Sequence, residues 1–426
     1  MKILLINKYH FLKGGAERAY FDMARILSER GHKVAFFSMQ HPNNLPTSWE
    51  KYFIENTDYQ NTELTFRQKF SFAGKILFNF DAQKKLEMLI DDFQPDIAHL
   101  HNIYHQLSPS IIWTLKKYNI PTVMTLHDYK LVSPNYNLFV RGKIWEHASG
   151  LRCLLDRCIK DSFTKSLVCV LEKWLHTILG SYGKVDVFIA PSRFLIEKFH
   201  SLGFRREIIF LPNSLTPFGK NKKELTRERN TFLFFGRLSA EKGVDTLIDA
   251  AAFLPRENKL WIVGDGPEKE CLNKLARERE IAARVTFFGS RYGDDLEILK
   301  QCAQAVILPS RWYENFPYTL IESLQSGCAV VAADIGGIAE RIIHKENGVL
   351  FEAGNTKALA EAMLSLKSLS LDTIRTKAKT SVADLSEEVF FEKLMRVYLS
   401  CRVKNHARFQ KHEVSSKKIG LESKIW

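Results

Sequence analysis

Residues 307–342 read ILPSRWYENFPYTLIESLQSGCAVVAADIGGIAERI. The apolar run at 305–308 has the length and composition of a buried strand. A polar turn follows, carrying Glu314, Asn315 and Phe316. Pro317 then stands where a first helical residue belongs, its φ pre-set and its missing N–H harmless. The helix it opens is predicted to stop at Gly327. A second apolar strand, 328–333, ends at Asp334-Ile335-Gly336-Gly337. Strand, turn, helix and strand in this order put the helix start, with its free N–H groups, at the carboxyl edge of a parallel sheet. That position suits a phosphate or polarised hydroxyls. Glu314 lies at the mouth of the turn and Glu322 about one and a half turns into the helix. Two carboxylates so placed can meet two hydroxylated parts of one ligand. Ordinary surface acids near a helix start read the same way.

At 426 residues the chain exceeds a single core of usual size, so two domains are expected. Hydrophobic residues make up 45 % and charged residues 26 %, which is ordinary for a globular protein. Seven scattered cysteines, an odd number, point to a reducing cytosol rather than a disulfide framework. The apolar run at 3–6 is cut short by Asn7, Lys8, Tyr9 and His10 and reads as a first strand, not a signal peptide. No uninterrupted apolar run nears the ~18 residues of a membrane span. A formal charge of +13 and a pI near 9.2 fit nucleic acid, an anionic membrane surface or a phosphorylated substrate. Neither zinc-finger spacing nor an RNP1-like aromatic motif is present, which argues against nucleic acid.

The chain opens as a βαβ unit: strand 2–9, a glycine turn, a helix over 17–28 stopped by Gly31, and strand 34–39. It lacks Gly-x-Gly-x-x-Gly, so no dinucleotide fingerprint is present. Gly14 and Gly15 let the backbone approach a ligand closely, or simply make a tight turn. Strand 96–101 ends in His99-Leu100-His101-Asn102, and strand 121–126 in His127-Asp128-Tyr129. Histidines on neighbouring strand ends face one crevice, with packing or a buried hydrogen bond as the plainer role of His99 and His101. Residues 130–165 read as an insertion. His147, Cys153, Cys158 and Cys169 are zinc-ligating types but match no strong spacing. Phe66, Phe70, Phe72, Phe78 and Phe80 are interleaved with Arg67, Lys69, Lys75, Lys84 and Lys85. Leu167, Leu171, Trp174, Leu175, Ile178 and Tyr182 recur at helical spacing, an apolar face for the domain or for a membrane. Strands at 185–189 and 208–211 close this half, and the polar stretch 216–229 reads as a linker.

The second half restarts the pattern. Strand 231–235 runs into Gly236-Arg237-Leu238-Ser239-Ala240-Glu241-Lys242-Gly243. Strand 260–263 ends at Gly264-Asp265-Gly266-Pro267, and strand 285–288 at Gly289. Arg237 and Lys242 flank a strand-to-helix loop, where two fixed cations can neutralise a diphosphate; solvated surface residues are the alternative. Residues 389–403 are apolar and amphipathic. Residues 402–426 carry seven Lys or Arg against two Glu with little periodicity, and the stretch from 404 on is expected to be a mobile basic tail.

Taken together, these stretches resemble the family-4 (group 1) retaining glycosyltransferases over about residues 2–400. Glu314-x7-Glu322 in ENFPYTLIE resembles the family signature, whose first acid binds donor-sugar hydroxyls and whose second binds the nucleotide ribose. GRLSAEKG resembles its diphosphate clamp. Gly-Gly-x-Glu after the first strand resembles the loop near the donor diphosphate and the acceptor. Thr125-Leu126-His127-Asp128 resembles the strand end that brings a histidine to the donor sugar. The resemblance implies an α/β, GT-B architecture, two Rossmann-like doubly wound domains facing a central cleft. Residues 1–215 would bind the acceptor, 230–386 the donor, and a helix at about 387–403 would cross back to the first domain. It implies His127, Arg237, Lys242 and Glu314 as catalytic. Gly14, Gly15, Gly236, Gly264, Gly289, Asn315, Phe316 and Glu322 would complete the donor site, with Glu17, His101 and Asn102 on the acceptor side.

No Asp-x-Asp occurs, so cations and helix-start amides are expected to stabilise the leaving group without a metal. No cofactor is expected beyond the nucleotide-diphosphate sugar, whose β-phosphate would help take the acceptor proton. The expected protein is a bacterial, cytoplasmic enzyme at the inner membrane face. It would move a sugar to a glycan or polyprenyl/lipid-linked acceptor in cell-envelope polysaccharide synthesis. Residues 65–85, the apolar helix and the tail would hold it to anionic lipid. A non-catalytic sugar- or lipid-binding protein and a sugar-nucleotide epimerase are the rival readings.

Overall fold

The computed structural model describes residues 1–56, 66–216, 228 and 230–422, with side chains described outside 66–71 and 406–422. Apart from Thr216 and Glu228, the expected linker lies outside the described residues, as do the side chains of Phe66, Arg67, Lys69 and Phe70.

Short aliphatic runs such as KILLI and AVVAA are buried on both faces, as strands of a parallel sheet must be. They form two six-stranded parallel sheets. The first contains β1 (Lys2–Ile6), β2 (Lys33–Phe37), β3 (Ile97–Leu100) and β4 (Thr122–Thr125). A small hairpin of β5 (Phe139–Val140) and β6 (Lys143–Ile144) interrupts it before β7 (Val187–Ala190) and β8 (Ile208–Phe210). The second sheet contains β9 (Thr231–Phe235), β10 (Lys259–Val263), β11 (Val285–Gly289), β12 (Ala305–Leu308), β13 (Ala329–Ala333) and β14 (Val349–Phe351). Strand orders are β2-β1-β3-β4-β7-β8 and β11-β10-β9-β12-β13-β14. Each order reverses once, between β1 and β3 and between β9 and β12. A doubly wound sheet opens a crevice at the carboxyl ends beside such a switch point.

The helix Gly15–Glu29 packs Tyr20, Met23, Ala24, Ile26 and Leu27 onto one face of the first sheet. On that face it meets Phe390, Leu394, Val397, Tyr398 and Cys401, carried by the helix Glu387–Glu422 that follows the second domain. This helix runs on to Glu422, where an irregular tail from 404 is predicted. Four further departures from the sequence reading have physical causes. The first helix begins at Gly15, two residues early, with Gly14 in extended conformation as its cap. Pro317 is not the first helical residue: at φ −72, ψ 131 it is the extended residue before Tyr318–Gln325.

Cys153 and Cys158 form a disulfide within the insertion, so the scattered-thiol reading fails there and those two sulfurs do not offer zinc a thiolate. Among the described residues no cluster of three or more metal-ligating groups occurs. The helix Phe163–Ile178 does not turn its apolar face onto the domain, the plainer of the two roles expected for it. Its buried side is Ser166, Cys169, Val170, Glu172 and His176, while Leu171, Trp174 and Ile178 are exposed. The cause is an ionic cluster below it. The buried Glu172 carboxylate is 2.9 Å from Lys130 Nζ and 3.0 Å from His105 Nδ1, which hold its pKa well below the usual carboxylate range against the opposing effect of burial. No helix among the described residues is long and apolar enough to cross a membrane.

Candidate active site

The two crevices meet. Asn315 of the second domain donates from its side-chain amide to the backbone carbonyl of His127 in the first. Arg18 of the first domain pairs with Glu322 of the second, its guanidinium 4.4 Å over the Tyr318 ring. Glu340 accepts hydrogen bonds from the backbone N–H groups of Arg193 and Phe194, at the start of the helix Arg193–Ser201.

On the second-domain side, backbone shape comes first. Gly264 has φ +138, and a Cβ there would lie 1.8 Å from the Gly236 carbonyl oxygen. Gly337 faces the other loop in the same way: a Cβ would lie 1.8 Å from the Asn315 oxygen, and its N–H donates to Glu314 O at 2.7 Å. These close approaches press the β9, β10 and β13 loops around the turn that carries Glu314. Gly289 joins them through its carbonyl, which accepts from Gly264 N at 2.9 Å. The carboxylate of Glu314 is buried, accepting from Lys242 Nζ at 2.6 Å and from Ser310 Oγ at 2.9 Å. Lys242 thereby links the Gly236–Gly243 loop to the turn, while Arg237 on that loop is exposed. Phe316 is buried beneath the turn, and Glu322 is 8 % exposed on the helix behind it.

On the first-domain side, side chains make the surface. A Cβ added at Gly15 would lie 3.7 Å from the Tyr318 ring of the other domain, and one at Gly14 3.7 Å from the Glu17 carboxylate. Glu17 is buried and accepts from Asn7 Nδ2, and Asn7 Oδ1 accepts from Asn102 N, so Glu17 and Asn102 are tied through Asn7. Burial raises the Glu17 carboxyl. His127 is half-buried, and burial pushes its ring down to about 4. His101 does not reach the cleft: it is fully buried, its Nδ1 2.8 Å from His127 Nε2. His99 lies deeper, between Tyr398 Oη and Thr125 Oγ1, each at 2.7 Å.

Several residues at this site escape sequence reading. Lys8 sits 4.0 Å over the Tyr104 ring, whose hydroxyl donates to Asp128. Burial lowers the Lys8 ammonium to about 8. Arg18 and Ser310 also carry no recognisable spacing. A signal for Lys8 and Asp128 existed, since both stand at strand ends beside the switch point.

Comparison with known proteins adds to this geometry. Residues 13–216 match the family model described as Glycosyltransferase Family 4, and residues 217–380 match Glycosyl transferases group 1. Together they span most of the chain. An uncharacterized 42.6 kDa protein in the cps region of Klebsiella pneumoniae is 28 % identical over 359 residues, covering 80 % of this chain and 87 % of that protein. The lipopolysaccharide core biosynthesis glycosyltransferase LpsE of Rhizobium meliloti is 25 % identical over 234 residues, 53 % of this chain and 67 % of LpsE. Anabaena HepE, solved in complex with UDP-glucose, superposes with a TM-score of 0.66 at 18 % identity, covering 94 % of this chain and 100 % of that one. At that identity the likeness is one of fold.

Proposed function

The chain belongs to the group 1 glycosyltransferases of GT-B architecture, and from that premise we propose that it moves a sugar from a nucleotide-diphosphate donor to an acceptor hydroxyl with retention at the anomeric carbon. The observation that carries this reading is the Lys242–Glu314 contact at 2.6 Å, which brings the two candidate donor motifs to one point of the cleft. In this reading Arg237 and Lys242 neutralise the diphosphate, and Glu314 orients sugar hydroxyls. Glu322 takes the ribose, with Arg18 beside it. His127 meets the sugar from the first domain. The protein's contribution is positioning and fixed charge, worth most in a cleft that excludes water. The leaving phosphate takes the acceptor proton, and no metal or cofactor takes part. HepE's complex with UDP-glucose supports a nucleotide-sugar donor.

The test is a panel of UDP-, GDP- and ADP-sugars read by thermal shift, since a ligand of the folded state raises the melting temperature. The stabilising donor is then followed by NMR for slow hydrolysis, with the first-released anomer identified. An inverted anomer overturns the mechanism. A binder that never cleaves its donor restores the non-catalytic reading, and an epimerised donor restores the epimerase.

For the acceptor we propose a lipid-linked glycan of envelope polysaccharide, reached from the cytoplasmic face of the membrane. Leu151, Leu155, Phe163, Leu171, Trp174 and Ile178 are exposed apolar side chains on the neighbouring helices Gly150–Leu155 and Phe163–Ile178. The cations Arg157, Lys160 and Lys165 on the same segment are exposed too. An apolar face with a basic rim suits anionic lipid. Sedimentation with anionic vesicles at low salt, release at high salt, and loss in a Trp174→Glu, Ile178→Glu double variant are expected. Failure of the unaltered protein to sediment at low salt favours a soluble acceptor.

A further inference from the structure

His101 lies beneath the cleft, packed among three rings. Its ring stacks on His99 at 4.9 Å and on His127 at 5.1 Å, with the Tyr20 ring edge-on at 5.4 Å. Its Nδ1 meets His127 Nε2 at 2.8 Å. Both rings are neutral near pH 7, because burial holds His101 well below 6.5 and His127 at about 4. Two neutral imidazole nitrogens in contact share one proton, so one ring must donate and the other accept.

The remaining nitrogen of His101 decides which. His101 Nε2 is buried with no hydrogen-bond partner among the described residues, and the ring borders a cavity of about 10 Å³ also lined by Thr125, Asn213, Ser214 and Tyr318. That is room for about one water. The Thr125 hydroxyl is engaged by His99 and the Tyr318 hydroxyl interacts with Asp22, which leaves the Ser214 hydroxyl and the Asn213 amide at the cavity. A hydroxyl or a water can meet either form, but with no described side chain bonded to Nε2 the bare ring nitrogen is the less costly state, since a buried N–H without an acceptor costs more. The His101 proton therefore sits on Nδ1 and is donated to His127 Nε2. The proton of His127 is then on its own Nδ1, which makes no hydrogen bond among the described residues and is not one of their buried unpaired atoms.

We propose that His101 is a positioning residue that fixes the ring orientation and tautomer of His127, so that His127 offers an Nδ1–H donor to a hydroxyl oxygen of the donor sugar. The proposal rests on the reading of His127 as the sugar-contacting histidine. Its first test does not need activity. In the full chain with ¹⁵N-labelled histidine, His127 is expected as the Nδ1–H tautomer, changing in His101→Phe and restored in His101→Asn, whose amide N–H occupies the place of Nδ1–H. The second test is kinetic. His101→Phe should lower kcat/KM for the nucleotide sugar by roughly 10–100-fold, the usual range for a partner that orients a functional histidine. Affinity for the bare nucleoside diphosphate should be unchanged, and His101→Asn should recover most of the loss. An Nε2–H tautomer of His127 in the unaltered protein overturns the proposal. So does a His101→Phe variant that loses bare-nucleotide affinity in step with turnover, which marks a general structural effect. If no nucleotide sugar is a substrate, the proposed function fails while the tautomer measurement still decides this point.

Discussion

The two walls of the cleft are built differently. The second-domain wall is made of backbone: Gly236, Gly264 and Gly337 let loops approach to distances that no side chain permits, and one ion pair, Lys242–Glu314, closes the turn. The first-domain wall is made of side chains: His127 backed by the buried, stacked His101 and His99, Lys8 over Tyr104, and the buried pairing of Lys130 and His105 with Glu172. A backbone-built site demands particular residues at fixed local spacing. A side-chain network draws its members from β1, β3, β4 and a distant helix, and needs no spacing at all.

The largest expected effect tests the backbone wall. Gly264→Ala sets a methyl 1.8 Å from the Gly236 oxygen at φ +138. It should cost on the order of 4 kcal/mol or more, read as a fall in the urea midpoint. Gly74, in the helix Phe66–Leu77 of the first domain, has open space around it. Gly74→Ala should leave the midpoint unchanged or raise stability by about 0.5–1 kcal/mol. Equal losses in the two variants would dissolve the contrast.

Next is the side-chain wall. Lys130→Met leaves the buried Glu172 carboxylate without its cation, beside a His105 ring that burial holds below its ordinary value, and should cost about 3–5 kcal/mol in the same urea titration. A loss under ~1 kcal/mol, the level of an exposed pair, would mean that this network adds nothing to the wall.

Removing a preorganised charge at the donor turn comes third. Lys242→Ala should slow turnover by about 10²-fold or more with the fold intact, and Arg237→Ala likewise. Near-normal turnover in both variants would remove the clamp from the mechanism. Glu322→Ala then separates ribose from sugar. It should weaken the bare nucleotide by about 1.5–3 kcal/mol in calorimetry, whereas Glu314→Ala spares the nucleotide and loses turnover. Matching losses of nucleotide affinity contradict that division.

The smallest effect per residue is a pH dependence carried by the first domain. Burial pushes His10 and His127 down to about 4 and His99 to about 3. Between those values and 6.5 the unfolded chain binds more protons than the folded one, so stability falls as pH drops below 6.5. Each histidine should account for about 0.7 kcal/mol between pH 7 and pH 6. His10→Phe should flatten the curve by one proton's worth, and an unchanged slope would show that His10 is charged or exposed when folded.

The sequence by itself determined the α/β repeat, because a parallel strand buried on both faces must be an aliphatic run and each run here is punctuated by glycine or a polar turn. It also marked the residue types of the proposed donor turn, since ENFPYTLIE and GRLSAEKG lie within single loop-and-helix stretches. Only tertiary structure brought Arg18 to Glu322, residues 304 apart in the chain, and set His101 beneath His127 rather than at the cleft. Only tertiary structure, too, turned the polar side of Phe163–Ile178 inward, because Lys130 and His105 reach Glu172 from other segments. Local spacing records what a turn or strand requires of its own residues. It carries no record of which distant charge will satisfy a buried one, and that is settled when the sheets and helices pack.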